Sequence, residues 1–107
     1  MASRKVVWTE TAAKQRREIL QYWTARNKST QYAEKLIRIT AARIKVILTH
    51  PESYKETIYP ETRVSAMGHF SILYKLKEDK IIITAFWDNR QDPKKLLAII
   101  KDQTTDL

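Results

Sequence analysis

The sequence of 107 residues contains no cysteine and only one glycine. Without cysteine there is no disulfide, no thiolate nucleophile and no zinc site built on Cys ligands, and the chain fits a reducing compartment. No stretch approaches the ~20 consecutive apolar residues that a membrane-spanning helix needs, and the apolar run near the start is too short for a signal peptide. We therefore expect a cytoplasmic protein that does not associate with membranes.

Motifs of the common enzyme classes are also missing. There is no glycine-rich phosphate-binding loop, no HExxH zinc motif and no serine in a nucleophile signature. The two histidines, His50 at a predicted helix end and His69 at a predicted turn, are more typical of structural or solvated positions than of catalysis. The sequence predicts neither a cofactor nor a metal site.

The charge that is present is basic and unevenly distributed. The formal net charge is +8, and residues 1–50 hold 11 lysines and arginines against three glutamates, whereas residues 51–107 hold nine basic and nine acidic residues. An excess of one sign in half of a chain favours attraction to a polyanion, either nucleic acid or an acidic protein. The plain alternative is a pair of lysine-rich helix faces in contact with solvent.

Length and hydrophobic periodicity predict a single α+β domain over residues 1–107, because the composition nowhere shifts enough for a linker. Apolar residues at helical spacing predict two antiparallel helices after a first strand, and a period of two then predicts further strands. We expect an antiparallel sheet with the two helices on one face, followed by a short C-terminal helix. The expected elements are, in order, a strand at 5–8, helices at 9–27 and 29–49, a loop at 51–61, strands at 62–67, 69–77 and 80–87, and a helix that begins at Asp92 and frays from Gln103.

The segment FWDNRQDPKKL, residues 86–96, joins the last strand to the last helix. Helix capping accounts for its Asp-Pro step, with Asp92 as the N-cap and Pro93 at the first helical position. Four other polar residues of the segment exceed what a strand exit needs, and we expect them to bind a target or a partner. They are Asn89, Arg90, Lys94 and Lys95.

Arg63 and Arg90 form a second candidate group. Arg63 begins a strand and Arg90 follows the end of another, and we expect the two strand ends to meet at one edge of the sheet. Two guanidinium groups at one edge hold a phosphate or a carboxylate in bidentate fashion. In the alternative, Arg90 pairs with Asp88 or Asp92 and only ties the strand exit to the helix start.

Three apolar residues extend the candidate binding surface. Trp87 offers a stacking platform, although a tryptophan at this place in a strand belongs more often to the core. Leu97 and Ile100 lie in a last helix with more apolar surface than a free tail carries. That helix must therefore dock on its own sheet or on a partner.

An ordered set of segments resembles the RelE/ParE superfamily of bacterial type II toxins, and is most similar to the ParE-like branch of plasmid stabilisation proteins. The segments are VVWTETA, ILQYW, the strand of Arg63 and ILYKLKEDKIIITAFWDNRQDPKKL. The resemblance covers nearly the whole chain and implies two helices against an antiparallel sheet. It also implies a cognate antitoxin, whose acidic C-terminal segment wraps the toxin and uses its positive charge and apolar last helix. A homodimer or a toxin–antitoxin hetero-oligomer is the expected assembly.

The resemblance implies one of two targets. RelE-like members cut messenger RNA on the ribosome with Lys and Arg side chains and a Tyr or His near the C-terminus, whereas ParE-like members are associated with inhibition of DNA gyrase. Ser71 stands where the ribonucleases carry a strand arginine, Leu96 stands near the position of their catalytic Tyr, and Arg90 matches a family arginine. RNA cleavage without a metal needs a proton acceptor, a proton donor and a cation, each worth about a hundredfold or more in rate. Only the cation is evident.

We therefore expect a toxin that inhibits growth by poisoning DNA gyrase and that a cognate antitoxin neutralises. The residues favour a protein that binds its target without chemistry. If the chain is an enzyme, it is a metal-independent, ribosome-dependent messenger RNA endoribonuclease with Arg63 and Arg90 in its site. A basic interaction protein without toxic activity is the third interpretation.

Overall fold

The computed structural model describes residues 4–105, with side chains through Lys101. Two long helices, α1 Glu10–Asn27 and α2 Gln31–Thr49, pack on one face of a five-stranded sheet, and a third helix, α3 Pro93–Thr105, packs on the other. The strands are β1 Lys5–Trp8, β2 Lys55–Glu56, β3 Thr62–Met67, β4 Phe70–Lys77 and β5 Lys80–Asp88. The predicted fold class is confirmed.

The strands lie in the order β1, β5, β4, β3, β2. β3, β4 and β5 form the predicted antiparallel meander, whereas β1 runs parallel to β5. β5 is therefore an interior strand, which agrees with its nearly continuous apolar sequence. The register of β1 ends at the pair Trp8 and Ile83, so the second half of β5 continues beyond its neighbour.

The helix boundaries follow local capping chemistry. The Thr9 hydroxyl accepts a hydrogen bond from the Ala12 backbone N–H at 3.1 Å, as predicted for an N-cap. Ser29 also acts at the start of α2, where its hydroxyl accepts from the Gln31 N–H at 3.2 Å. α2 ends ahead of Pro51, because the residue before a proline is held out of helical geometry.

The main core lies between the two long helices and the sheet. Phe86 is fully buried at its centre, stacked on Phe70 at 5.8 Å between ring centroids and tilted against Trp8 at 6.2 Å. Burial of one such side chain is worth roughly 1.5–3 kcal/mol. This core fixes α1 above β5, and that placement determines the geometry of the site described below.

The chain between α2 and β3 is held at the end of the sheet away from β5's C-terminus. Tyr74 is fully buried, and its hydroxyl donates to the Pro51 carbonyl at 2.5 Å. Burial raises the pKa of Tyr74 to about 12, so the hydroxyl keeps its proton as the donor. Pro51–Ser53 form a short 3-10 turn, and β2 follows it and pairs with β3. The expectation of a loop throughout residues 51–61 is therefore wrong at Lys55 and Glu56.

The last helix docks on the chain's own sheet. Ile100 is buried against the outer face of the sheet beside Leu73, Ala85 and Trp87. The helix continues to Thr105, so the expected fraying from Gln103 is wrong for residues 103–105, while residues 106 and 107 lie outside the described residues. Within residues 4–105, no helix is long and apolar enough to cross a membrane.

Candidate functional site

The turn after β5 is fixed by Asp88. One carboxylate oxygen of Asp88 accepts from the Arg90 backbone N–H at 3.0 Å, and its carbonyl accepts from the Gln91 N–H at 3.0 Å. The Asn89 N–H donates to the His69 carbonyl at 2.7 Å, which joins this turn to the turn between β3 and β4. Aspartate side chains commonly bond the backbone two residues on. The sequence DNRQ therefore holds Arg90 in a defined position at the end of the sheet.

The Arg90 guanidinium forms a bidentate pair with the Asp88 carboxylate. Arg90 Nε donates to Oδ1 at 2.9 Å and Nη2 donates to Oδ2 at 2.8 Å. These hydrogen bonds hold the pKa of the Asp88 carboxyl below its usual range and raise the pKa of Arg90. The Asp88 side chain is only 14% exposed, whereas that of Arg90 is 46% exposed. Arg90 therefore pairs with Asp88, as in the structural alternative, but keeps nearly half of its side chain accessible to a ligand.

Aromatic residues of α1 and α2 pack around the same guanidinium. The Arg90 guanidinium carbon lies 5.1 Å from the centre of the Trp23 ring, and that of Arg26 lies 5.9 Å from it. Such distances allow cation–π attraction. The rings of Tyr22 and Tyr32 each pack edge-on against Trp23, with 5.2 Å between centroids. We refer to Tyr22, Trp23, Arg26, Tyr32 and Arg90 as the Trp23 cluster.

A cleft of about 630 Å³ opens between α1, the end of β5 and α3. Its apolar lining includes Ile19, Phe86 and Ile99, and residues of the Trp23 cluster form part of its wall. Ligand-binding clefts commonly have volumes of about 300–1,000 Å³ and combine apolar walls with a few polar groups. The cleft thus has the size and the mixed lining of a binding site.

Gln15 lines this cleft with a side-chain amide whose hydrogen bonds are only partly formed. β5 extends beyond β1 here, and Gln15 Oε1 takes the place of a neighbouring strand by accepting from the Phe86 N–H at 2.9 Å. Gln15 Nε2 is buried and has no hydrogen-bond partner among the described residues. A buried donor without an acceptor is costly.

Arg63 lies far from this cleft, and the expectation that Arg63 and Arg90 meet is wrong. Arg63 pairs with Tyr74 in the register of the meander, whereas Asp88 pairs with Phe70 at the other end of β4. Strands β3 and β5 both run antiparallel to β4, so the start of β3 and the end of β5 lie at opposite ends of the sheet.

Hydrogen bonds to the chain that precedes β3 account for the position of Arg63. Its Nη1 donates to the carbonyl of Tyr54 at 2.7 Å and to that of Glu52 at 3.3 Å. Its Nη2 lies 3.3 Å from a carboxylate oxygen of Glu56. These bonds fasten the 3-10 turn and β2 to the sheet, so the described contacts of Arg63 are structural.

Two of the three apolar residues predicted for binding, Trp87 and Ile100, hold α3 in place. Trp87 and Ile100 are buried in the cluster on the outer face of the sheet, and Leu97 is half-buried. Trp87 also reaches the lining of the cleft. Their arrangement follows the core alternative for Trp87, and a binding role for Leu97 and Ile100 stays a prediction.

The remaining predicted residues surround the turn. The Asn89 side chain accepts from the Ser71 hydroxyl at 2.8 Å, which links β4 to the turn. Lys94 and Lys95 are exposed in the first turn of α3, and Asp92 accepts from both of their backbone N–H groups. Asp92 thus caps α3 as predicted, and the two lysine side chains are free to meet a partner.

Sequence patterns do not predict most of the other cleft residues. Trp23 belongs to the apolar stripe of α1, and Arg26 follows it at i+3, a spacing that places both on one helix face. That spacing is the available sequence signal for the contact between Trp23 and Arg26. It does not show that the turn after β5 places Arg90 against the same indole ring. His69 is exposed in the turn whose carbonyl bonds to Asn89, next to the site. No group of three or more metal-ligating side chains occurs in the part of the chain that the structure describes.

Comparison with known proteins identifies relatives of this fold. Residues 6–93 match the family model described as ParE toxin of type II toxin-antitoxin system, parDE. A solved structure titled "Chromosomal ParDE TA system from P. aeruginosa" superposes with a TM-score of 0.67 at 17% sequence identity. The superposition covers 78% of this chain and 94% of that chain. No curated protein matches the sequence.

Proposed function

We propose, from the premise that this chain belongs to the ParE toxin family of type II toxin–antitoxin systems, that it inhibits growth by binding and poisoning DNA gyrase. In the same proposal a cognate antitoxin neutralises it. The cleft beside the Trp23 cluster is the surface that engages the target, with the exposed part of Arg90 as its cation. Asn89, Lys94 and Lys95 extend that surface along the turn and the first turn of α3.

The single observation that favours a non-hydrolytic toxin concerns the residues that occupy the two positions where ribonuclease relatives carry catalytic side chains. Ser71 is buried and its hydroxyl is engaged with Asn89. Leu96 is half-buried and packs in the cluster under α3. A serine held in this way and a leucine supply neither a cation nor a proton donor to an RNA phosphate.

The charged pair at the turn is suited to binding rather than to proton transfer. Both carboxylate oxygens of Asp88 accept from Arg90, and the lowered pKa of Asp88 makes it a weak base at neutral pH. Arg90 stays a cation at any physiological pH and presents a half-exposed side chain. Such a fixed cation beside aromatic rings fits a carboxylate or phosphate of a macromolecular target.

An antitoxin fits the same end of the molecule. The apolar side of α3 is covered by the chain's own sheet, so it is less accessible to an antitoxin than the sequence predicts. The open cleft, the exposed ring of Tyr22 and the cations of Arg26 and Arg90 remain for an acidic segment with apolar anchors. Occupation of the cleft by that segment would block the target.

A RelE-like endoribonuclease is the second candidate, and one observation favours it. The exposed imidazole of His69 stands at the turn that is bonded to Asn89, and its charge acts on Asp88. Histidine is the side chain that most often acts as a general acid or base in catalysis, and Arg90 supplies a cation at the adjoining turn. His69→Ala separates the two functions, because it abolishes activity only if the imidazole takes part in proton transfer.

Induction of the protein in cells distinguishes the two proposals. The protein is expressed alone and together with the product of its neighbouring gene, while growth, the DNA damage response and messenger RNA integrity are followed. Growth arrest with a DNA damage response and intact messages, relieved by co-expression, supports gyrase poisoning by a neutralised toxin. Cut messages at the onset of arrest support the endoribonuclease, and normal growth in every host favours a non-toxic interaction protein.

Substitution of Arg90 tests whether its cation serves the target. We expect Arg90→Ala to weaken toxicity with little loss of folding, because the side chain is near the surface and its backbone bonds remain. Arg38→Ala is the matched control, since Arg38 is exposed on α2 with no hydrogen bond or ion pair among the described residues. Loss of toxicity together with a large fall in melting temperature would show instead that Arg90 is structural.

A further inference from the structure

Three lysines form a row across the sheet at the end opposite the cleft. Lys80 of β5 pairs with Lys5 of β1 on one side and with Lys77 of β4 on the other. Partners in register point to the same face, and this is the face away from α1 and α2, because Val6, Ile81 and Leu76 beside them face the main core. Adjacent strands are about 4.8 Å apart, so the row spans roughly 10 Å.

Two carboxylates, Glu78 and Asp79, lie in the turn between Lys77 and Lys80, but neither forms an ion pair with the row. All three side chains are exposed, and among the described residues no carboxylate lies within ion-pair distance of any of them. Like charges directly opposite on a sheet destabilise it. Lys75 lies two residues before Lys77 on the same face and adds a fourth charge. An external anion that spans three strands would relieve this repulsion.

We propose that this row, with Lys75, is a binding site for the phosphate backbone of duplex DNA. The inference does not depend on the proposed function, since it concerns the outer face of the sheet and not the cleft. The site reads no sequence, because lysines that contact phosphates position a protein on DNA without contacting base edges.

The surroundings of the row favour duplex DNA over other polyanions. The neighbouring pair on this face consists of Val7 and Ile82, so the positions next to the row on β1 and β5 offer no aromatic ring on which an unpaired base would stack. Duplex DNA carries one negative charge per about 1.7 Å of its axis, a density that matches closely spaced lysines.

The test compares two variants with the same loss of charge. The first carries Lys5→Gln, Lys77→Gln and Lys80→Gln in the row. The second carries three substitutions to Gln at exposed basic residues of α2, namely Lys35, Arg38 and Lys45. Binding of each full-length protein to a fluorescent DNA duplex of unrelated sequence is measured by anisotropy from about 50 to 300 mM salt.

We expect the row variant to reduce the slope of log K against log salt by about 2–3, since each phosphate contact contributes about 0.9. Its affinity at 0.1 M salt should fall roughly a hundredfold, while the α2 variant keeps most of its slope. If the row variant does not fold, Lys80→Gln alone should lower the slope by about 0.9. Equal losses in both variants would overturn the proposal, as would tighter binding of single strands or more effective competition by polyglutamate.

Discussion

The hydrogen bond between Tyr74 and Pro51 offers a substitution whose effect follows directly from the structure. Tyr74→Phe removes one hydroxyl from a fully buried ring and leaves the packing volume nearly unchanged. The buried carbonyl of Pro51 then loses its donor at 2.5 Å, and the loss costs about 1–3 kcal/mol of unfolding free energy. For a domain of about 100 residues, this lowers the melting temperature by about 4–24 °C.

Burial of the Tyr74 hydroxyl, which raises its pKa, predicts a pH dependence of stability that the variant lacks. Tyr74 has a pKa of about 12 in the folded protein and an ordinary value of 10.0 when unfolded. The stabilisation is therefore complete below pH 10 and declines as the pH rises from 10 through 12, because the unfolded chain loses the proton first. Urea denaturation of both proteins from pH 8 to 11.5 measures how the difference between their unfolding free energies changes with pH. A stability difference that does not shrink above pH 10, or a melting temperature unchanged by the substitution, would refute this account of Tyr74.

Two further substitutions separate structural from functional cations. Arg63→Ala should destabilise the protein by about 1–3 kcal/mol, because two backbone carbonyls lose their donor. The variant should retain toxicity at temperatures where the fold persists. A stably folded Arg63→Ala that loses as much toxicity as Arg90→Ala would contradict the structural assignment of Arg63. Lys80→Gln should raise stability by a few tenths of a kcal/mol in low salt, since Lys80 lies between Lys5 and Lys77, and the gain should vanish near 1 M salt. Thermal melts at two salt concentrations check this, and a loss of stability would show that the lysines are compensated.

The parts of the fold that local chemistry determines could be predicted from the sequence. Thr9 caps α1, Pro51 ends α2 and Asp92 caps α3, each through contacts within a few residues. Strand β2 could not be predicted, because its two residues have no period of their own. Its position depends on β3 and on Arg63, which are distant in the sequence. The parallel pairing of β1 with β5 is equally non-local.

The sequence predicts only part of the candidate site, because the rest also depends on contacts between residues that are distant in the sequence. The turn residues Asn89 and Arg90 stand out because they exceed what capping requires, and Arg90 lines the cleft. The strand order alone excludes a contact between Arg63 and Arg90. Alternate strands of a meander run in the same direction, so the start of β3 and the end of β5 lie at opposite ends of the sheet. The contact of Trp23 with Arg90 depends on how α1 crosses the end of β5, and no spacing in the sequence encodes that crossing.

The most direct test of gyrase poisoning uses purified components. The protein is incubated with DNA gyrase and supercoiled plasmid, and in parallel with translating ribosomes and a messenger RNA. We expect linear plasmid with gyrase covalently attached, an intact message, and loss of the linear product with Arg90→Ala but not with Arg38→Ala. A cleaved message with unaltered gyrase activity would contradict it and would establish the endoribonuclease instead.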